Sequence, residues 1–276
     1  MQFHVAIPNF GPSSTPEAMA EIAEEAEELG FDGIGTTDHV LVPRGQPERY
    51  ERIFDALVVL GHLAGRTRRV RLITSVIVLL VRNPFVVAKQ AATIDQLSGG
   101  RLVLGLGVGW HEREFANVHA DFRNRGRRLD EALRLLRHLF SGSREPFQGD
   151  YYPYEDGVFD PLPVRREALP ILLGGNSDAA VRRAARAADA WESTGIGPDA
   201  WRERVELLRA EAAGRSVEVG ARISLGGGAE EMLGHVRRWR DAGADHLMIG
   251  LGFTDGFAGR MRLLAREVMP AVRAEG

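Results

Sequence analysis

The feature that most constrains the fold is a strand–helix–strand stretch between residues 70 and 115. Val70 to Val81 is an almost unbroken run of β-branched and aliphatic residues, which indicates a strand buried on both faces. Pro84 stands where a helix can begin without losing a needed donor, and Gly99-Gly100 ends that helix. Arg101 to Gly107 is a second short apolar strand. Two apolar strands joined by a helix predict parallel neighbours with a right-handed crossover.

The same alternation of strands and helices runs along all 276 residues. We predict eight strands, at residues 2–7, 31–36, 70–81, 101–107, 170–173, 188–193, 217–225 and 244–251. This pattern favours one closed α/β domain over residues 1–276, a (β/α)8 or TIM barrel, rather than a doubly wound sheet. Ligands then bind at the loops that follow the carboxyl ends of the strands.

One segment breaks the alternation. Residues 141–169, after the fourth helix, hold four prolines and three tyrosines without a helical or strand period. An irregular span of this length in a compact domain is usually functional. We expect this insertion to cover the site, or alternatively to form a subunit contact with its aromatic side chains.

Composition excludes several classes of function. The net charge of -3 gives no global case for nucleic-acid binding, and the absence of cysteine excludes disulfides and thiol nucleophiles. The first ten residues lack the pattern of a signal peptide, and no apolar stretch is long enough to span a membrane. The histidines are scattered without metal-ligand spacing. A cytoplasmic enzyme acting on a small molecule, without a metal, is the default expectation.

Candidate site residues follow the second and third strands. Asp38 and His39 come directly after a buried strand, where His39 could transfer a proton or contact a cofactor ring; a capping Asp and a surface His are the plainer alternative. Ser75-Val76 lies where hydroxyls interrupt an aliphatic strand, and backbone hydrogen bonds alone would explain them. Arg82 could anchor an acidic partner or pair with a nearby acid, and Asn83 could simply cap the following helix.

Glycine-rich turns supply a second group of candidates. Gly105 to Trp110 follows a strand and would let a flat ring or a phosphate approach the backbone, although a tight turn needs glycines as well. Trp110 could stack on a ring or belong to the core. Gly174 to Ser177 opens a helix, whose free amides form an anion site unless the turn is an ordinary one capped by Ser177. Thr194-Gly195 would lie next to it in the barrel.

Taken together, these motifs resemble the luciferase-like monooxygenase superfamily, in particular its coenzyme F420-dependent oxidoreductase branch. The matching segments follow one another along nearly the whole chain: GFDGIGTTDH (30–39), TSV with RNP (74–84), TIDQLSGGRLVLGLGVGWHEREF (93–115), LPILLGGNS (169–177) and ADAWEST (188–194).

The resemblance implies a role for each candidate. His39 would be the acid/base or ring-contacting residue, with Asp38 beside it, and Ser75-Val76 would form a non-prolyl cis peptide behind the ring. Val108 and Gly109 would line the ring edge. The phosphate would be held by the glycine-rich turn and the next strand end: Gly174, Gly175, Asn176, Ser177 and Thr194. The sugar-phosphate dehydrogenases of the superfamily carry a glutamate where this chain has Trp110, which leaves the proton donor and the substrate open.

The expected function is hydride transfer between F420 and a small organic substrate. The alternative is an FMN-dependent monooxygenase that uses reduced flavin and O2, because the two cofactors differ in whether they activate oxygen. A phosphosugar lyase or isomerase and a cofactor carrier are weaker alternatives; no lysine at a strand end or metal cluster supports the former. The resemblance also implies a homodimer and a flavin or F420 reductase as a partner.

Overall fold

The computed structural model describes residues 1–12, 14–42, 44, 50–252 and 256–275. In this part of the chain, parallel strands close into a barrel in the order β3-β2-β1-β9-β8-β7-β6-β5-β4, and pairing of β3 with β5 completes the ring. The strands are β1 (Gln2–Ala6), β2 (Gly33–Thr36), β3 (Arg71–Thr74), β4 (Ile77–Val78), β5 (Leu102–Gly107), β6 (Ile171–Gly174), β7 (Ala190–Thr194), β8 (Glu218–Ser224) and β9 (His246–Gly250). Because β3 and β4 occupy one position beside β5, the barrel has eight positions and the predicted fold class is confirmed.

Helices surround the barrel, and two of them begin at the capping residues that the sequence indicates. Thr15 accepts a hydrogen bond from the Ala18 amide before a helix with Pro16 at its first position, and Asn83 caps the helix that begins at Pro84. The helices are α1 (Pro16–Glu28), α2 (Ala56–Arg66), α3 (Pro84–Ser98), α4 (Glu112–Asn117), α5 (Arg125–Ser141), α6 (Asp178–Ala187), α7 (Pro198–Glu211), α8 (Ala229–Ala242), α9 (Phe257–Leu263) and α10 (Met269–Ala274). The short α4 was not predicted. A π-helical turn, Leu264–Val268, joins α9 to α10.

The prediction of one continuous strand from Val70 to Val81 is wrong at its centre. Ile73 lies opposite Val103 and Ile77 lies opposite Leu106, so three residues of one strand face two of the other. This extra residue is a bulge, and strand bulges re-aim side chains next to active sites. Beyond β4 the chain turns into a single 3-10 turn, Leu79–Val81.

Thr74 holds the bulge against β5. Its hydroxyl donates to the carbonyl of Gly105 and accepts from the amide of Gly105, both at 2.7 Å. A Cβ at Gly105 would lie 1.7 Å from the Thr74 carbonyl oxygen, so only glycine fits this close approach. The glycine that begins the GxG pattern therefore serves strand packing.

The insertion at residues 141–169 packs on the outside of the barrel. Glu131 of α5 accepts hydrogen bonds from the amides of residues 150–152 at 2.7 to 2.8 Å, and Gln96 of α3 donates to the carbonyl of Leu162. Every residue of the insertion is described, and none lines the cavity presented below. The prediction that it covers the site is wrong; the subunit contact stays a prediction.

Two further predictions concern what the chain lacks. Within the described ranges, no helix combines the length and the apolar character that a membrane span requires. In the same ranges, no three His, Asp or Glu side chains come together as metal ligands. The polar sequence of residues 44–52 predicts a loop, and most of this stretch lies outside the described residues.

Candidate active site

A cavity of about 1120 Å³ opens at the carboxyl ends of the strands. Loops after the successive strands contribute to its wall, as the barrel fold requires of a ligand site. All of the predicted site residues except Ser177 line it: Asp38, His39, Ser75, Val76, Val108, Gly109, Gly174, Gly175, Asn176 and Thr194. The fold thus brings together side chains that lie far apart in the sequence.

His39 is held by a carboxylate that sequence reasoning left without a role. Nδ1 of His39 lies 2.9 Å from Oε2 of Glu114, and both side chains are almost completely buried. Glu114 is the third residue of α4, and its Oε1 accepts a hydrogen bond from the Val40 amide at 2.7 Å. Because the carboxylate occupies Nδ1, Nε2 is the nitrogen of His39 that remains for a ligand in the cavity.

The charge of Glu114 is stabilised where it lies. Burial by itself raises the pKa of this carboxyl group, but the hydrogen bonds from His39 and from the Val40 amide outweigh burial, and the net pKa lies below 4.5. Glu114 is therefore ionised over the neutral range. An ionised acceptor fixes the tautomer with the proton on Nδ1 and leaves Nε2 as a base.

We expect Glu114→Gln to reduce turnover about 10- to 100-fold, because an orienting partner of this kind typically contributes that much. The native carboxylate has a lowered pKa, so it stabilises the fold above about pH 4.5 and loses this contribution as the pH falls through its folded pKa. As the pH is lowered from 7, the free energy of unfolding measured in urea should therefore fall less for Glu114→Gln than for the wild-type protein. If the free energy of unfolding of the variant fell with pH as steeply as that of the wild-type protein, the assignment of Glu114 as a stabilising carboxylate would be contradicted.

Asp38 lies at the centre of a second buried ionic contact. Arg82 donates from Nη2 to Oδ1 of Asp38 at 2.5 Å and from Nε to Oδ2 at 3.1 Å, a bidentate geometry. The Val78 amide also donates to this carboxylate, and Arg82 reaches Asp55, the cap of α2, at 2.7 Å. The structure thus decides the open question about Arg82: it pairs with neighbouring acids, and it fixes the loop that carries His39.

Ser75-Val76 forms the floor of the cavity, and its peptide bond is cis, as the family resemblance implies. The Ser75 hydroxyl donates to Oε1 of Glu192 at 2.5 Å. Arg222 donates to the carbonyl and the hydroxyl of Ser75 and to the hydroxyl of Thr37. Burial raises the pKa of Glu192 and lowers that of Arg222, and in each case the Coulombic interaction with the other residue opposes the shift.

Glycines keep the floor flat around Val76. A Cβ at Gly107 would lie 2.9 Å from one methyl group of Val76, and a Cβ at Gly174 would lie 3.1 Å from the other. Gly109, which has a φ of +75°, approaches Phe115 so closely that a Cβ there would lie 2.7 Å from its ring. The Val76 side chain is therefore exposed to the cavity between two backbone segments that carry no side chains.

The anion end of the site differs from the prediction at one residue. The side-chain amide of Asn176 donates to the Thr194 carbonyl at 2.6 Å, which ties the two predicted loops together. Ser177 instead lies outside the cavity lining, where its exposed hydroxyl accepts from the Ala180 amide as the cap of α6. The neighbouring α7 begins after Gly195 to Gly197, and this glycine cap has no side chain to satisfy the first amides of the helix.

Some lining residues were missed at the sequence level. Glu192 and Arg222 are charged residues inside buried strands, a placement that is rare unless the charges are paired, so their positions were a usable signal. Tyr50 lies in the polar stretch of residues 44–52, and Arg260 lies in α9. Neither of these two carried a local pattern that indicated the cavity.

Comparison with known proteins identifies the family of the chain. The model of the luciferase-like monooxygenase family matches residues 1–248. The chain is 31% identical over 245 residues to an uncharacterised protein of Mycobacterium tuberculosis, covering 83% of each. It is 34% identical over 218 residues to the F420-dependent glucose-6-phosphate dehydrogenase of Nakamurella multipartita, covering 76% of this chain and 61% of that enzyme.

A solved structure matches over almost the full length. It is an F420-dependent secondary alcohol dehydrogenase in complex with an F420-acetone adduct, with a TM-score of 0.84, 20% identity and 99% coverage of both chains. This likeness establishes the fold. The chain belongs to the luciferase-like monooxygenase family and is an oxidoreductase.

Proposed function

We propose that this protein is an F420-dependent oxidoreductase that moves a hydride between the deazaflavin and an alcohol or carbonyl substrate. The observation that carries the proposal is the His39–Glu114 pair, which presents one basic imidazole nitrogen to a cavity with a flat apolar floor. The 34% and 35% identity to F420-dependent glucose-6-phosphate dehydrogenases supports the choice of cofactor.

The residues present fit such a cofactor. A flat ring needs an apolar surface without protruding side chains, and Val76 between Gly107 and Gly174 provides one. An anionic chain needs donors, and α7, whose first amides no side chain caps, begins beside Thr194. The ring would lie on Val76, and the phosphate would lie by the loops of Asn176 and Thr194.

The bound deazaflavin supplies hydride transfer and no chemistry with oxygen. The protein supplies the proton transfer. Nε2 of His39 takes the proton of the substrate hydroxyl during oxidation and returns it to the carbonyl oxygen during reduction. Glu114 holds the ring in the required tautomer and stabilises the imidazolium that forms. Arg82 keeps Asp38, and with it the backbone beside His39, in place.

Titration of the purified protein with F420 and with FMN tests the cofactor. We expect the fluorescence of the deazaflavin to change with a dissociation constant in the micromolar range, and FMN to bind much more weakly. Val76→Asp, which places a charge on the apolar floor, should weaken F420 binding, whereas an exposed variant such as Val86→Asp on α3 should not. Tight FMN binding without F420 binding would instead favour the monooxygenase.

Assembly belongs to the same proposal. We infer a homodimer, as the family resemblance implies, and we propose that it acts on a free small molecule in the cytoplasm. In the FMN alternative, a reductase partner would supply the reduced flavin.

A further inference from the structure

Three aromatic side chains stand next to His39 in the cavity lining, and we refer to Phe10, Tyr50 and Trp110 as the aromatic wall. The Tyr50 ring lies 5.1 Å from the His39 ring at an angle of 59°, and the Trp110 ring lies 6.0 Å away at 87°. Phe10 stacks on Tyr50 at 5.3 Å. A molecule that reaches Nε2 of His39 must therefore place its neighbouring atoms against these rings.

Trp110 is the unusual member of the aromatic wall. It is 59% exposed, while the other three tryptophans of the chain, Trp191, Trp201 and Trp239, are at most 2% exposed. Its indole is positioned by edge contacts with His39 and with His111 at 5.0 Å, so it is not a core residue. A large ring left open beside a catalytic imidazole gains contact area only when a ligand covers it.

In the described part of the chain, the charged side chains that line the cavity close to His39 are already engaged. The carboxylate of Asp38 is paired with Arg82, and that of Glu114 with His39. Arg222 donates to Ser75 and Thr37 on the floor. Arg260 also lines the cavity, but its guanidinium group lies beside the backbone of Gly252 and Gly256. The surroundings of Nε2 thus favour contact with an uncharged, apolar group.

We propose that the substrate is an uncharged aryl carbinol or the corresponding aryl ketone, with its ring held between Tyr50 and Trp110 and its oxygen at Nε2 of His39. This inference rests on the proposed function. During oxidation the carbinol C–H bond breaks and its hydrogen leaves with both electrons to the oxidised deazaflavin. The O–H bond also breaks, its proton goes to His39, and its electron pair completes the C=O bond.

Steady-state kinetics with F420 tests the substrate class. We compare 1-phenylethanol, 2-propanol and glucose 6-phosphate, following the loss of deazaflavin fluorescence. We expect kcat/KM for 1-phenylethanol to exceed the other two by at least about 10-fold. A higher value for 2-propanol or for glucose 6-phosphate, or turnover of none of the three by F420-loaded protein, would overturn the inference.

Trp110→Glu and Trp110→Phe test the aromatic wall itself. The glutamate variant should lower the preference for 1-phenylethanol over 2-propanol by about 10-fold or more, mainly through KM, and the phenylalanine variant should retain most of it. Leu97→Ala, on an apolar residue of α3 that is exposed to a similar degree, is the matched control and should leave the preference unchanged. An unchanged preference in Trp110→Glu would contradict the proposal.

Binding without turnover separates this inference from the cofactor assignment. Acetophenone should quench the exposed Trp110 saturably in the wild-type protein, and Trp110→Phe should lose this signal. F420 binding without saturable quenching would leave the proposed function intact and overturn the aryl substrate. Saturable quenching without F420 binding would overturn the proposed function and leave only the aryl-binding surface.

Discussion

His39→Ala should lower kcat by about 100- to 10,000-fold, the range for removal of a positioned general acid or base. The expectation follows from geometry: Nδ1 lies 2.9 Å from Glu114, so the imidazole has one nitrogen for the substrate and a fixed orientation. Since the proposed ring surface is at Val76 and the phosphate loops lie at Asn176 and Thr194, F420 affinity should change little. Turnover and F420 titration on the same preparation measure the two effects separately.

His39→Asn sharpens this test. The asparagine amide can reproduce the Nδ1 hydrogen bond to Glu114 but places nothing at Nε2. If His39 only satisfies the buried carboxylate, the asparagine variant should recover turnover; if Nε2 carries the proton, it should be as slow as His39→Ala. His62→Ala, on the exposed side of α2, is the matched control and should keep wild-type kcat. Recovered turnover in His39→Asn would end the acid/base role.

The parts of the fold that the sequence predicts correctly are those with local causes. Thr15 and Asn83 mark the starts of α1 and α3, because a short polar side chain satisfies helix amides within a few residues. Gly99 adopts a left-handed conformation at the end of α3. The strands after β5 follow from apolar runs between such signals. Position at the end of a strand then placed every predicted site residue except Ser177 in the cavity lining.

Contacts created by barrel closure could not be predicted in this way. His4 and His246 stand at opposite ends of the chain, but pairing of β1 with β9 stacks their rings 5.5 Å apart inside the barrel. Burial lowers the pKa of His246 to about 4, so it is neutral at pH 7. Glu114 likewise meets His39 only through the packing of α4 against the 3-10 turn Leu79–Val81, and α4 is too short to show a helical period in the sequence.

The bulge at Thr74 to Val76 could not be predicted from the sequence for a third reason. Thr74 and Val76 are β-branched like the residues of the strand around them, and register is a property of the pair of strands rather than of one strand. The sequence shows the hydroxyls of Thr74 and Ser75, but each could either form hydrogen bonds with the backbone or belong to the site. In the structure Thr74 fastens the backbone to Gly105, whereas Ser75 meets Glu192 and Arg222. Of the two residues, only Ser75 therefore belongs to the site.

Arg82→Met should cost about 3–5 kcal/mol in the free energy of unfolding, the range for removing one partner of a buried ion pair. Methionine keeps an apolar stem of similar length, so most of the packing is preserved. What remains is the Asp38 carboxylate, whose side chain is 0% exposed, with the Val78 amide as a donor but without its cation. Urea unfolding at pH 7 measures the loss, and an unchanged m-value would show that both proteins unfold from equally compact states.

The pH dependence distinguishes an unpaired charge from lost packing. Burial raises the pKa of Asp38 above 3.8 even in the native protein, where Arg82 opposes the shift. Without Arg82 the pKa rises further, so the folded variant binds a proton more readily and its deficit relative to the wild-type protein should shrink as the pH is lowered from 7. The double variant Arg82→Met/Asp38→Asn removes the buried charge and should be less destabilised at pH 7 than Arg82→Met alone. A deficit that is constant with pH and larger in the double variant would mean that Arg82 stabilises the His39 loop through packing and not through charge.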